Sequence, residues 1–492
     1  MTFNEDSRVK IPAIVHLTRL GYSYLPKSAI ANLHTDTNIF KDQFKAGLSK
    51  INDREFTDTE IDSFLSEINI QLDNSDLGKR FYKSLLGDFA CKLIDLENFE
   101  NNLFHVVTEL TYKNEEEEFR PDITLLFNGM PLSFIEVKKP NNREGILAER
   151  NRINARFKNP KFSKFMNITQ LLVFSNNQEY DEESITPIQG AFYATPDPEQ
   201  VNFNCFREEE TAIIHSVPAE DSEIEKQILL DNNIVSILGN SEYNTAKDNN
   251  SPTNRVLTSL FSKQRLKTIL KYGFAYVNSS DKIGNRMEKH IMRYPQLFAT
   301  LAIEKKLNQG IKKGIVWHTQ GSGKTALAYY NVSYLKDYFQ KQNTVAKFYF
   351  IVDRLDLAQQ AKEEFVARGL TVEMINSKED FINNIKTAGA TATNVGVQTI
   401  TVVNIQKFSD YSIANISDYN LNVKRIYFLD EVHRSYNPEG TFYEKLVNSD
   451  REAIHIGLSG TPLITGDFKS KEIFGDYFHK YYYNKSIQTV TL

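Results

Sequence analysis

Two hydrophobic patterns divide the chain. Before residue 239 the apolar positions follow mixed periods. Residues 8–20 carry them at helical spacing, with Pro12 tolerable only in a first turn. Thr57-Asp58-Thr59-Glu60 reads as a capping box ahead of Ile61, Phe64, Leu65 and Ile68. Residues 123–127, 132–138 and 171–175 read as strands, so this half predicts a small α/β or α+β domain. After residue 255 short continuous apolar runs alternate with helical stretches, at 314–317, 348–352, 399–405, 426–429 and 454–458. Such runs predict βαβ units and a parallel sheet covered by helices on both faces. Between the halves, 239–255 (GNSEYNTAKDNNSPTNR) is polar and rich in turn formers, which predicts a linker or long surface loop. The expected organisation is therefore 1–238, a linker at 239–255, and 256–492.

Composition narrows the class. The chain has 492 residues, 41% hydrophobic and 25% charged, which argues against disorder and coiled coil. No apolar run approaches the ~20 residues of a membrane span. The opening MTFNEDSRVK lacks the apolar core of a signal peptide. Two cysteines exclude a disulfide scaffold and a four-thiolate zinc site, so a reducing cytoplasm is expected. A net charge of −5 points to no partner and does not exclude nucleic acid, which needs only a local basic track.

The first chemical signal is His318-Thr319-Gln320-Gly321-Ser322-Gly323-Lys324-Thr325, between a strand and a helical stretch. A strict phosphate loop opens with glycine where His318 stands; the remaining G-S-G-K-T is intact. Gly321, Ser322 and Gly323 would turn backbone N–H groups toward phosphate. Lys324 would neutralise the β/γ-phosphates, and Thr325 would hold Mg²⁺. The strand at 426–429 ends in Asp430-Glu431-Val432-His433. Carboxylates at the C-terminal end of a parallel strand face its ligand crevice, so Asp430 would hold Mg²⁺ and Glu431 would orient or deprotonate water. Trp317 is expected in the core beside the loop, and His433 in a hydrogen bond; His455 and His479 are too scattered for a ligand set.

A second signal lies in the first half. Arg120-Pro121-Asp122-Ile123-Thr124 precedes the turn Asn128-Gly129 and the strand Phe134-Ile135-Glu136-Val137-Lys138. Glu136 and Lys138 share one strand face. Asp122 and Glu136 could ligate a divalent metal that activates water, with Lys138 at the reacting phosphate. A two-residue turn would pair Asp122 with Ile135 and split the carboxylates between faces. A three-residue loop, or a nearby bulge, would pair Asp122 with Glu136. An ordinary hairpin with exposed Glu and Lys is the competing reading. The acidic run 115–118 is expected to be a solvated loop. Lys138, Lys139, Asn142 and Arg143 could contact DNA phosphates or form a plain basic surface.

Several motifs in order resemble known families. Asp430–His433 resembles the DEAD/DEAH-type box of superfamily-2 helicases and translocases. Met292-Arg293-Tyr294-Pro295-Gln296 resembles the element in which a glutamine, here Gln296, reads adenine. Val352-Asp353-Arg354 and residues 401–408 resemble strand ends that touch nucleic acid. Ser459-Gly460-Thr461-Pro462 resembles the motif coupling ATP state to movement, placing Thr461 at the nucleotide. Asp122, Glu136 and Lys138 match the PD…(D/E)xK pattern of DNA nucleases. Together, RPDITLLFNGMPLSFIEVKKP, RIYFLDEVHRS and IGLSGTPL resemble the motor (R) subunit of type I restriction enzymes.

The resemblance implies an α/β chain: a PD-(D/E)xK nuclease-like domain, then a RecA-like parallel-sheet lobe, first of the two in a superfamily-2 motor. It implies ATP and Mg²⁺ as cofactors, and as partners double-stranded DNA and the methyltransferase (M) and specificity (S) subunits, with no membrane. The chain departs from the family in two ways. Family members often carry Gln-x-x-x-Tyr after the nuclease lysine, where this chain reads AERNRINARFKN with Phe157 near the tyrosine position. An upstream helical acid also helps ligate metal; Glu5 is the candidate, ahead of Asp6. The chain ends at Leu492, so one lobe is expected, with slow ATP hydrolysis and no translocation in isolation. The alternatives are a stand-alone repair or antiviral helicase–nuclease, and a non-catalytic assembly subunit using ATP as a switch.

Overall fold

The computed structural model describes residues 5–30, 32–140, 145–180, 188–281, 284–386, 398–405, 423–431, 446, 450–461 and 474–481. The chain divides into two compact units, one centred on Met1–Phe274 and the other on Met292–Ile487. No helix among the described residues is long and apolar enough to cross a membrane.

The first unit is built on a mixed seven-stranded sheet. In order across it lie β1 (Ser23–Tyr24), β2 (Phe104–Thr108), β3 (Ile123–Phe127), β4 (Met130–Val137), β5 (Leu171–Ser175), β6 (Ala191–Ala194) and β7 (Asn204–Cys205). β3 and β4 form an antiparallel hairpin, and β4 runs parallel to β5. Both hairpin strands are buried along their whole length, which is why their apolar positions do not alternate. The helix expected over 8–20 forms, with a wide π turn at Asp6–Lys10 running into α1 (Ile11–Arg19). Ile11 donates five residues back to Asp6, and Pro12, which cannot donate, falls in the first turn after that wide one. The Thr57–Glu60 capping box is present at the start of α2 (Asp58–Leu72).

The segment 239–255 is not a linker. It forms α4 (Ser241–Ala246) and the start of α5 (Pro252–Phe261), inside the first unit, which continues to Phe274. Its polar residues satisfy its own backbone. The Asn240 side chain accepts from Glu242 N–H, and buried Asn254 donates to the carbonyls of Ala246 and Asp248. Turn-forming side chains can therefore stabilise caps within a packed domain as readily as they make a loop.

The second unit carries an all-parallel seven-stranded sheet. Its strands in chain order are β8 (Lys313–His318), β9 (Val345–Val352), β10 (Thr371–Ile375), β11 (Thr399–Asn404), β12 (Val423–Leu429), β13 (Ile454–Ser459) and β14 (Tyr477–Tyr481). Across the sheet they run β10-β11-β9-β12-β13-β8-β14. The five strands expected from apolar runs are all here; the outer strands β10 and β14 are additional. Pairing of β14 with β8 places Phe478 against Gly314, where an added Cβ would meet its ring at 2.2 Å. Within β12, buried Arg425 pairs with Asp450, which also accepts from Tyr427 at 3.2 Å.

Candidate active sites

The hairpin register decides whether the first cluster exists. Asn128 and Gly129 both have positive φ, 48° and 79°, and make a two-residue turn that pairs Phe127 with Met130. By itself this turn would separate the carboxylates. A register shift between Leu125 and Leu126 restores them: Leu126 pairs with Pro131, Leu125 with Ser133, and Ile123 with Ile135. Pro131 cannot donate to the ladder, so a bulge beside it suits a central strand. The shifted register sets Asp122 opposite Glu136, and Asp122 Oδ2 accepts from Val137 N–H at 2.9 Å. Lys138 continues the strand, donating its N–H to Ser175 O at 2.9 Å.

Two carboxylates pair with the lysine there, and two more act on its charge. The Lys138 ammonium lies 3.3 Å from Glu149 Oε2 and 3.8 Å from Glu5 Oε2. Glu136 is 4% exposed, and burial, then the charges of Asp122 and Glu149, raise its pKa well above the ordinary value. Its Oε1 is buried without a hydrogen-bond partner. Burial also raises the Glu5 carboxyl. Opposing effects act on Lys138: burial lowers its pKa, but the surrounding carboxylates, Glu149 first, outweigh this and leave it raised. The guanidinium of Arg156 lies over the Phe119 ring at 4.1 Å and feels the same carboxylates.

Hard oxygen donors crowded beyond their cations suit Mg²⁺, which takes one or two carboxylates and fills its other positions with water and phosphate oxygens. Among the described residues no three His, Cys, Asp or Glu gather as a ready-made ligand set, so Asp122 and Glu136 would be the protein's share. Glu149, from α3 (Leu147–Phe157), was not singled out in the sequence. Lys139 is exposed, the run 115–118 is an exposed hairpin turn, and Asn142 and Arg143 lie outside the described residues.

The second cluster sits at the C-terminal ends of the parallel strands. β8 runs into the loop 319–323 and then α7 (Lys324–Gln340), with Gly321 and Gly323 at φ 80° and 82°. A side chain at Gly323 is excluded twice, by this φ and by Gln296 Nε2, which would lie 2.5 Å from a Cβ. Gln296 is 4% exposed in α6 (Tyr294–Asn308). Its Oε1 accepts from Arg293 N–H at 2.9 Å, and its Nε2 donates to Gly323 O at 3.2 Å. The residue expected at adenine thus also braces the loop.

Lys324 Nζ lies 3.3 Å from Glu431 Oε1. Glu431 has φ 49°, a conformation costly for a non-glycine residue and common at functional sites. Burial, then the Glu431 charge, lifts Asp430 to about 6, partly offset by Lys324. Asp353, at the end of β9, also raises it. A Cβ on Gly460 would lie 3.3 Å from Lys324 Nζ, so the loop after β13 closes beside the pair. Ser459 Oγ donates to Thr461 O at 2.7 Å within that loop. Thr325 sits in the first turn of α7, and Ser322 Oγ is buried without a hydrogen-bond partner. Val432, His433, Pro462 and residues 406–408 lie outside the described residues.

His318 does not merely replace a glycine. It is fully buried and its Nε2 meets His479 Nδ1 of β14 at 2.8 Å. Trp317 is only partly buried and lies against Tyr477, because its strand ends beside the short outer strand β14.

Comparisons with known proteins bear on these clusters. Residues 2–181 match the family described as type I restriction enzyme R protein N terminus, and residues 295–491 match SWI2/SNF2 ATPase. This chain is similar to the R subunits of type I restriction enzymes. It is 26% identical over 98% of its length to the MjaIXP type I restriction enzyme endonuclease subunit of Methanocaldococcus jannaschii, covering 45% of that protein. To the SauCOLORF180P endonuclease subunit of Staphylococcus aureus strain COL it is 22% identical over 79% of its length, covering 35%. The chain thus spans less than half the length of these endonuclease-subunit relatives. A fragment of an HsdR subunit from Vibrio vulnificus is similar over 78% of this chain and 56% of its own, at 13% identity and a TM-score of 0.27.

Proposed function

We propose that this chain is an R-type subunit carrying the DNA-cutting site and the first ATPase lobe of an ATP-dependent restriction endonuclease that cleaves unmodified foreign DNA. The observation that carries the reading is the bulge-set pairing of Asp122 with Glu136 beside Lys138, in one chain with the Lys324–Glu431 pair. A hairpin formed for stability alone has no need to bury a carboxylate oxygen without a partner.

At the cutting site Asp122 and Glu136 hold magnesium, which would supply activated water and charge stabilisation at the phosphodiester. Lys138 positions the reacting phosphate. At the motor site the N–H groups of Gly321–Gly323 and the Lys324 ammonium receive the triphosphate, Thr325 and Asp430 hold its Mg²⁺, and Glu431 orients water. Gln296 reads adenine, and Thr461 senses the nucleotide from the β13 loop. The partners are double-stranded DNA and M and S subunits, in the cytoplasm.

Purification of the native complex tests this against a free-standing helicase–nuclease. Methyltransferase activity should co-purify in fixed proportion with the chain. A complex that restricts DNA with no associated methyltransferase would overturn the restriction assignment.

A further inference from the structure

The lysine of the cutting site is held by an acid that lies off the hairpin. Glu149 projects from α3 and is 2% exposed, whereas its other cationic partner, Arg152, is 58% exposed at 2.9 Å. An acid placed only to pair with a surface arginine would not be buried. Its Oε2 is closer to Lys138 (3.3 Å) than Glu5 is (3.8 Å), and its Oε1 is buried without a hydrogen-bond partner.

Lysine carries a compact charge on a flexible four-carbon stem, so its ammonium settles on the nearest good acceptor. Three other carboxylates, those of Glu5, Asp122 and Glu136, are close enough to act on this ammonium. Were it to settle between Asp122 and Glu136, it would neutralise the oxygens that a cation requires. Glu149 offers an anchor on a separate element.

We infer that Glu149 is a positioning residue, holding the Lys138 ammonium on the α3 side so that Asp122 and Glu136 stay open to a divalent cation. The inference rests on the cutting-site reading above.

Manganese binding to the full chain, followed by electron paramagnetic resonance or calorimetry, tests it without relying on cleavage. The relevant signal is the component of binding that Asp122→Ala removes. Glu149→Gln should weaken that component about tenfold, and Glu149→Asp should weaken it less. In a Lys138→Ala background Glu149→Gln should have no effect, because no ammonium remains to move. Equal weakening in both backgrounds would make Glu149 a ligand or a fold support and would overturn the inference. So would unchanged binding in Glu149→Gln. Absence of any Asp122-dependent component would instead remove the metal site itself.

Discussion

Asp430→Asn should stabilise the second unit while disabling the nucleotide site proposed for it. The Asp430 carboxyl titrates near 3.8 when unfolded and near 6 in the native site, raised by burial and by Glu431. The native state therefore binds more protons between those values, and stability falls as pH rises through them. Above pH 6 both states are ionised and the full penalty applies, about 3 kcal/mol for this difference in pKa. Below 3.8 both are protonated and the penalty vanishes. Asparagine mimics the protonated form, and its carbonyl can still accept the Glu431 N–H that Asp430 accepts. The gain from Asp430→Asn should then be about 3 kcal/mol at pH 8 and about 1 kcal/mol at pH 4.5. Trp317, the only tryptophan, lies in β8 and reports on this unit, so urea unfolding followed by its fluorescence is the assay. At typical urea sensitivities the pH 8 midpoint should rise by roughly 1–2 M. A gain equal at both pH values, or a loss at pH 8, would refute the electrostatic argument. The wild-type penalty is the kind of instability expected where an acid is kept for a cation.

Other substitutions probe the frame that holds the sites. Asp450→Ala should destabilise the second unit by about 3–5 kcal/mol in the same urea assay, since it removes the carboxylate paired with the buried Arg425 guanidinium. Gly314→Ala should cost about 1–3 kcal/mol by driving a methyl into Phe478, and Phe478→Leu in the same chain should recover part of it. Thr57→Ala should cost about 1 kcal/mol through loss of the capping box, read as a lower urea midpoint of the first unit by circular dichroism.

The parallel sheet was legible because its inner strands are buried on both faces and read as unbroken apolar runs. β10 was missed because its residues alternate between exposure and partial burial at the sheet edge. β14 was missed because YFHKY mixes aromatic and charged residues, as expected of an outer strand. The hairpin carboxylates were legible as residue types, but their shared face depended on the bulge beside Pro131. Turn length and bulge could not be separated without the register. Glu149 was illegible because α3 (LAERNRINARF) reads as a solvated helix; only its contact with Lys138 distinguishes it. The segment 239–255 was misread because polar residues that cap helices and residues that line loops look alike in sequence. Similarly, His318 gave no sign of its partner, which lies on a strand far along the chain.

Separating cutting from fuel use, in the native complex proposed to contain this chain, tests the proposed function most directly. Plasmid cleavage and DNA-stimulated ATP hydrolysis should be measured side by side for Asp122→Ala and Lys324→Ala. Asp122→Ala is predicted to abolish cleavage and leave hydrolysis at the wild-type rate, and Lys324→Ala to abolish both. Undiminished cleavage by the Asp122→Ala enzyme would contradict the account.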